Sequence, residues 1–111
     1  MSDPRIDAAV FSELQAQNGS DFVADLVATF ADEGADLLVA LRAAAAEGQA
    51  TSFRRAAHSI KSNANAFGAR ALAEQARALE LGGLPGDAAG IDELAALFES
   101  TIAALRRHAA G

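Results

Sequence analysis

His58 and Lys61 stand three residues apart in the run Ala57-His58-Ser59-Ile60-Lys61-Ser62, a spacing that puts both on one face of a helix. A neutral imidazole, with an ordinary pKa of about 6.5, is a nucleophile near neutral pH. A cation one turn away can offset negative charge gathered beside it. Lys61 is the only lysine in a chain that uses arginine for its other eight bases. Taken alone, the pair also fits a solvated polar face with an incidental imidazole.

Winding residues 51–67 at about 100° per residue separates two arcs. Phe53, Ala57, Ile60, Ala64 and Phe67 gather into one apolar stripe, which reads as core. Arg54, His58, Lys61, Ser62 and Asn65 fall on another arc, so His58 points away from the core. Charge is segregated in the same way. Residues 1–50 carry two bases and nine acids, residues 51–77 five bases and one acid, and residues 78–111 two bases and five acids. A positive island therefore surrounds the histidine in a chain whose formal charge is −6.

Five helical segments position this face. Asp7 caps a first helix running to about Gln17, with Ile6 and Phe11 spaced as a hydrophobic staple and Asn18-Gly19 as the stop. The second starts near Ser20 or Asp21 and runs to about Ala46, its apolar residues in helical register. Gly34 inside it marks a bend or a close helix contact. Thr51 caps a third helix that ends at Phe67, where Gly68 suits the left-handed position. A fourth runs from about Ala69 to Leu81. The stretch from Gly82 to Ile91 is the only long connection, and the fifth helix begins near Asp92 with two acids in its first turn. Arg106, Arg107 and His108 then sit at the negative end of its dipole. The expected fold is all-α, an antiparallel up-down four-helix bundle with an additional short N-terminal helix, forming one domain over residues 1–111.

Composition supports this and narrows the function. Thirty of the 111 residues are Ala and twelve are Leu, both strong helix formers. The absence of Cys removes disulfides, thiolate catalysis and the usual structural zinc sites. A pI near 4.7 speaks against broad nucleic-acid binding. No apolar run approaches the roughly 18 residues of a membrane span, and MSDPRIDAAV lacks the basic and apolar regions of a signal peptide. There is no phosphate-cradling GxxxxGK[ST] run and no convincing metal cluster, and no second base is paired with His58 in sequence. An autonomous kinase or hydrolase is not expected.

The run from Ala57 to Ala69 resembles the histidine-containing phosphotransfer (HPt) domain of multistep phosphorelays. That family carries an Ala-His pair, an apolar residue two positions after the His, a Lys three after it, and an apolar residue and Gly at nine and ten. Here those places hold Ala57, His58, Ile60, Lys61, Phe67 and Gly68. Leu72 and the Leu79-Glu80 pair resemble the family's next helix, and Phe30 and Leu41 with Glu47-Gly48 its preceding one, so the resemblance covers nearly the whole chain. One departure stands out: the position four after the His, commonly Gly, is Ser62. Ser remains small and adds a hydroxyl.

The resemblance implies a cytoplasmic, monomeric phosphoryl carrier with no cofactor of its own. His58 would accept a phosphoryl group from a receiver-domain aspartate and pass it to another, by in-line transfer. Lys61 would offset the phosphoryl charge, while neighbouring cations would disfavour the imidazolium. Arg54, Ser59, Ser62, Asn65 and Ala66 would contact the phosphoryl group or the partner, with Arg55 a weaker candidate. Val10 or Phe11 would either complete the docking patch or simply cap the bundle. The implied partners are response-regulator receiver domains, which supply the Asp and Mg²⁺, and a hybrid sensor kinase. The initial Met and short tails suit a free-standing shuttle. Two other readings stay open: a helical adaptor that binds a signalling partner without carrying phosphate, and the dimeric histidine-bearing module of a sensor kinase.

Overall fold

The computed structural model describes residues 5–110; Met1–Pro4, with the initial Met, and Gly111 lie outside the described residues. Five helices follow in order: α1 Ala8–Asn18, α2 Ser20–Ala46, α3 Ala50–Ala66, α4 Arg70–Gly82 and α5 Ala89–Ala110. Helices α2 to α5 run up and down as an antiparallel bundle in which α3 packs between α2 and α4, and α5 closes the ring against both. Among the described residues there is no strand.

Each boundary has a local cause. Asp7 accepts at its carboxylate from the Ala9 and Val10 N–H groups, at 3.0 and 3.3 Å, and so caps α1. Ile6 and Phe11, the two sides of the staple, are both buried. Phe11 lies beneath the edge of the His108 ring at 5.6 Å, so it caps the bundle and has no surface to offer a partner. Gly68 has φ +72°, and a Cβ there would sit 2.9 Å from the Asp7 carbonyl oxygen. That close approach lets the Asp7 N–H donate to the Gly68 carbonyl at 2.6 Å, which seats α1 across the α3–α4 turn.

Two expected boundaries are corrected. Helix α3 begins at Ala50, with Gln49 in the cap position and no side-chain cap bond, so Thr51 already lies inside the first turn. Helix α5 begins at Ala89 rather than near Asp92, because the Asp87 carboxylate accepts from the Ala89 N–H at 2.9 Å. The α4–α5 connection is thus shorter than expected, and Asp92 is the sole acid in the first turn of α5.

The core forms where the apolar stripes meet. Phe53, Ala57, Ile60 and Ala64 of α3 are buried against Leu41, Leu72, Leu94 and Leu105 of the other helices in one cluster. Burying a side chain such as Phe53 or Ile60 contributes about 1.5–3 kcal/mol as an upper bound. Phe67 stacks on Phe30 at 4.8 Å. Gly34 marks a close contact rather than a bend: a Cβ at this position would collide with the Phe98 ring of α5. With its stripe anchored on both sides, α3 presents the opposite arc outward at a fixed angle.

Candidate functional site

His58 projects from the middle of α3 with its side chain 56% exposed. Ala57 before it and Ile60 after it are buried, so the register that fills the core also sets the direction of the imidazole. The antiparallel turn around Ala69 brings α4 alongside. Glu80 faces α3 from there and binds two partners at once: its Oε2 lies 2.9 Å from His58 Nδ1 and its Oε1 accepts from Lys61 Nζ at 2.8 Å. Lys61 and Glu80 are mostly covered, at 24% and 21% side-chain exposure, whereas the ring is not. The carboxylate is thus a sheltered brace for an accessible imidazole.

The electrostatics assign the tautomer. The hydrogen bond from Lys61 holds the Glu80 carboxyl below its ordinary value, against a smaller opposing effect of desolvation, and the bond to His58 adds to the lowering. Glu80 is therefore ionised near neutral pH and can only accept, so Nδ1 carries the proton. In the neutral ring this leaves the Nε2 lone pair free. The arrangement differs from the expected one, in which cations neighbour the ring: the group bonded to the ring is an acid, Glu80, which is itself paired with Lys61.

The other expected site residues divide among different surfaces. Arg54 is exposed and leans toward the end of α4, where a Cβ on Gly83 would lie 3.6 Å from its Nη2. Ser59 turns toward α2 and, with Asn63, Glu33, Asp36 and Leu37, lines an open groove of about 420 Å³. Ala66 lies beside α1 in a second groove of about 210 Å³, with Val10, Glu13, Leu14 and Gln17. Ser62, Asn65 and Arg55 are exposed. The basic island is also thinner than its count of charges, because Lys61 pairs with Glu80 and Arg70 with Asp7 at 3.0 Å. His108 spends its Nδ1 on the Ala104 carbonyl at 2.9 Å, in the last turn of α5. Among the described residues no three His, Asp or Glu side chains gather as a metal site, and no helix is long and apolar enough to cross a membrane.

Glu80 is the residue of this site that the spacing along α3 does not reveal. A signal was there. His58 is eleven residues before Ala69 and Glu80 eleven after it, which are matched positions on the two arms of an antiparallel hairpin that turns at Gly68-Ala69.

The Hpt domain family matches the chain over residues 25–108. No curated protein sequence matches it. Among solved structures, the chain is similar to the crystal structure of histidine-containing phosphotransfer protein B (HptB) from Pseudomonas aeruginosa PAO1. The two share 29% sequence identity at a TM-score of 0.77, covering 97% of this chain and 93% of that one.

Proposed function

Because the chain belongs to the Hpt domain family, whose members carry out histidine phosphotransfer in phosphorelays, we propose that His58 is the residue that bears the phosphoryl group and that Nε2 is the atom that bonds to it. The observation that supports this is the bond between Nδ1 and Glu80 beside an otherwise open ring. The Nε2 lone pair attacks phosphorus in a receiver aspartyl phosphate, and the P–O bond breaks with its electron pair leaving on the aspartate carboxylate. The Nδ1 proton stays on the ring, where Glu80 offsets the positive charge that develops. Transfer onward is the reverse sequence on a second receiver, with the Nε2–P bond breaking.

Lys61 lies next to the reacting ring through the same carboxylate and lends charge to the phosphoryl group once it is in place. Mg²⁺ belongs to the receiver's acidic pocket, and this chain supplies a positioned imidazole and a docking surface. Arg54, Ser59, Asn65 and Ala66 are assigned to the partner's surface, with the grooves on either side of α3 giving it room. The carrier acts in the cytoplasm as a monomer, downstream of a hybrid sensor kinase and without kinase activity of its own.

The test is transfer from a pre-phosphorylated receiver in the presence of Mg²⁺, read as intact mass at neutral pH because a P–N bond is acid-labile. An acid-labile phosphoryl adduct on the native chain and none on His58→Gln, with equal helicity, is the expected result. A His58→Gln chain that labels fully overturns the assignment. A folded native chain that binds several receivers and accepts nothing is an adaptor instead. Sedimentation as a dimer would favour the sensor-kinase module.

A further inference from the structure

The seam between α3 and α4 continues past Glu80 into an exposed corner. Going round α4 at about 100° per residue from its buried residues Leu72, Ala73 and Ala76, the residues Glu80, Arg77 and Leu81 follow in that order on the side toward α3. Glu80 is mostly covered, Arg77 is exposed and Leu81 is 70% exposed. The hairpin alignment that sets Glu80 opposite His58 also sets Leu84 opposite Arg54. The distances agree: Glu80 Oε2 lies 2.9 Å from His58 Nδ1, and a Cβ on Gly83, the neighbour of Leu84, would lie 3.6 Å from Arg54 Nη2. Gly83 ends α4 at φ +71°, and Leu84 beyond it is 39% exposed. A single exposed leucine is ordinary. Two at the rim of the site are not, because among the described residues the other large apolar side chains this open are Phe22 and Val39, both on α2. Arg54 and Arg77 form no ion pair among the described residues.

We propose that the corner formed by Leu81 and Leu84, flanked by Arg54 and Arg77, is part of the docking surface for the receiver domain and seats the rim of its acidic pocket on the α4 side of His58. The inference rests on His58 exchanging a phosphoryl group with a receiver. For that exchange the acidic pocket must close over the imidazole, so its rim comes down on whatever flanks the ring. Toward α4 that is two unpaired guanidinium groups and two open leucines. A guanidinium matches a carboxylate in charge and in the geometry of its paired N–H donors. Specific interfaces also need apolar anchors within a polar rim, and the outward arc of α3, with Arg54, His58, Lys61, Ser62 and Asn65, has none. Leu81 and Leu84 supply them beside the reacting ring, while Lys61 keeps its role at the phosphoryl group.

The experiment separates docking from chemistry. Initial rates of transfer from a phosphorylated receiver with Mg²⁺ are measured against receiver concentration, in the full native chain and in the Leu81→Ser/Leu84→Ser, Arg77→Gln and Val39→Ser variants. Phosphoramidate, too small to need a docking surface, reports on the imidazole itself in each chain: its P–N bond breaks, the Nε2–P bond forms and ammonia leaves. The double leucine variant is expected to raise the half-saturating receiver concentration roughly tenfold with little change in the rate at saturation. Arg77→Gln raises it about threefold and weakens its dependence on salt. Val39→Ser, which alters an equally open side chain on α2, leaves it where it was. A leucine variant that saturates like the native chain overturns this proposal alone, as does one that loses phosphoramidate labelling in step with transfer. So does a native dimer that the leucine substitutions convert to a monomer, since the corner would then be covered by a second copy. A native chain that binds the receiver yet forms no phosphohistidine overturns the proposal together with the assignment of His58.

Discussion

One carboxylate serves two partners at the seam of α3 and α4, which ties the orientation of the imidazole to the charge of Lys61. Glu80→Ala removes both bonds, leaving Nδ1 without its acceptor and Lys61 without its counter-charge; transfer is expected to fall on the order of tenfold, the size of one lost charge-assisted bond. Glu80→Gln keeps an oxygen for Nδ1–H but not the charge, so it should lie between the two in a single-turnover assay. Lys61→Ala should slow transfer without abolishing labelling, and a double-mutant cycle with Glu80→Gln separates its effect on the phosphoryl group from its effect on the brace. The pH behaviour follows from the lowered carboxyl. The seam's contribution to stability is complete above the ordinary glutamate value of 4.5 and is lost as pH falls through the lower folded value. Thermal unfolding followed from about pH 6 to about pH 3 should therefore show a steeper acid loss in the native chain than in Glu80→Gln. At this scale His58 and Lys61 were legible because they share one helix and a fixed spacing. Glu80 was not, since its role arises from two helices whose alignment depends on where Gly68 turns the chain.

The elements act by holding α3 still. Its apolar stripe is buried from Phe53 to Ala64, and the stripe's period alone was enough to point His58 outward. Helix ends were harder to read: Thr51 and Asp92 are both plausible starts by residue type, yet the backbone enters the helix earlier at each place, at Gln49 without a side-chain cap and at Ala89 with help from Asp87. A capping residue is chosen by which N–H groups the incoming chain leaves open, and that depends on the loop's path. Gly34 carries the element-scale prediction. A methyl group there meets the Phe98 ring, and overpacking of this kind costs about 1–3 kcal/mol, partly offset by the better helix propensity of Ala. Gly34→Ala should lower the denaturation midpoint, with Phe98→Leu recovering part of the loss in the double variant. Phosphoryl acceptance at a temperature where the variant stays folded should be unchanged, because the contact joins α2 to α5 and lies outside the α3–α4 seam.

At the scale of the whole molecule, two fields of opposite sign compete for an acidic partner. The chain as a whole carries −6, while its basic charges concentrate in residues 51–77, which hold five of the nine. The molecule measures 42 × 24 × 18 Å, and the screening length decides how much of it a partner feels. At about 0.01 M salt that length is roughly 30 Å, so an approaching acidic receiver meets nearly the full negative charge. At about 0.15 M it shrinks to roughly 8 Å, and a partner poised over α3 feels mainly Arg54, Arg55 and the surroundings of His58. At about 1 M, with roughly 3 Å of reach, the local attraction is screened as well. The association rate with a net-acidic receiver should therefore rise and then fall as salt increases, instead of falling throughout as it would for a uniformly basic surface. Stopped-flow transfer under second-order conditions measures this directly. Reversing an acid on the outer face of α2, as in Asp25→Lys, should raise the low-salt arm and leave the high-salt arm in place. A rate that falls monotonically in the native chain would mean that the basic island governs the encounter at every distance and that the acidic remainder of the molecule has no part in it.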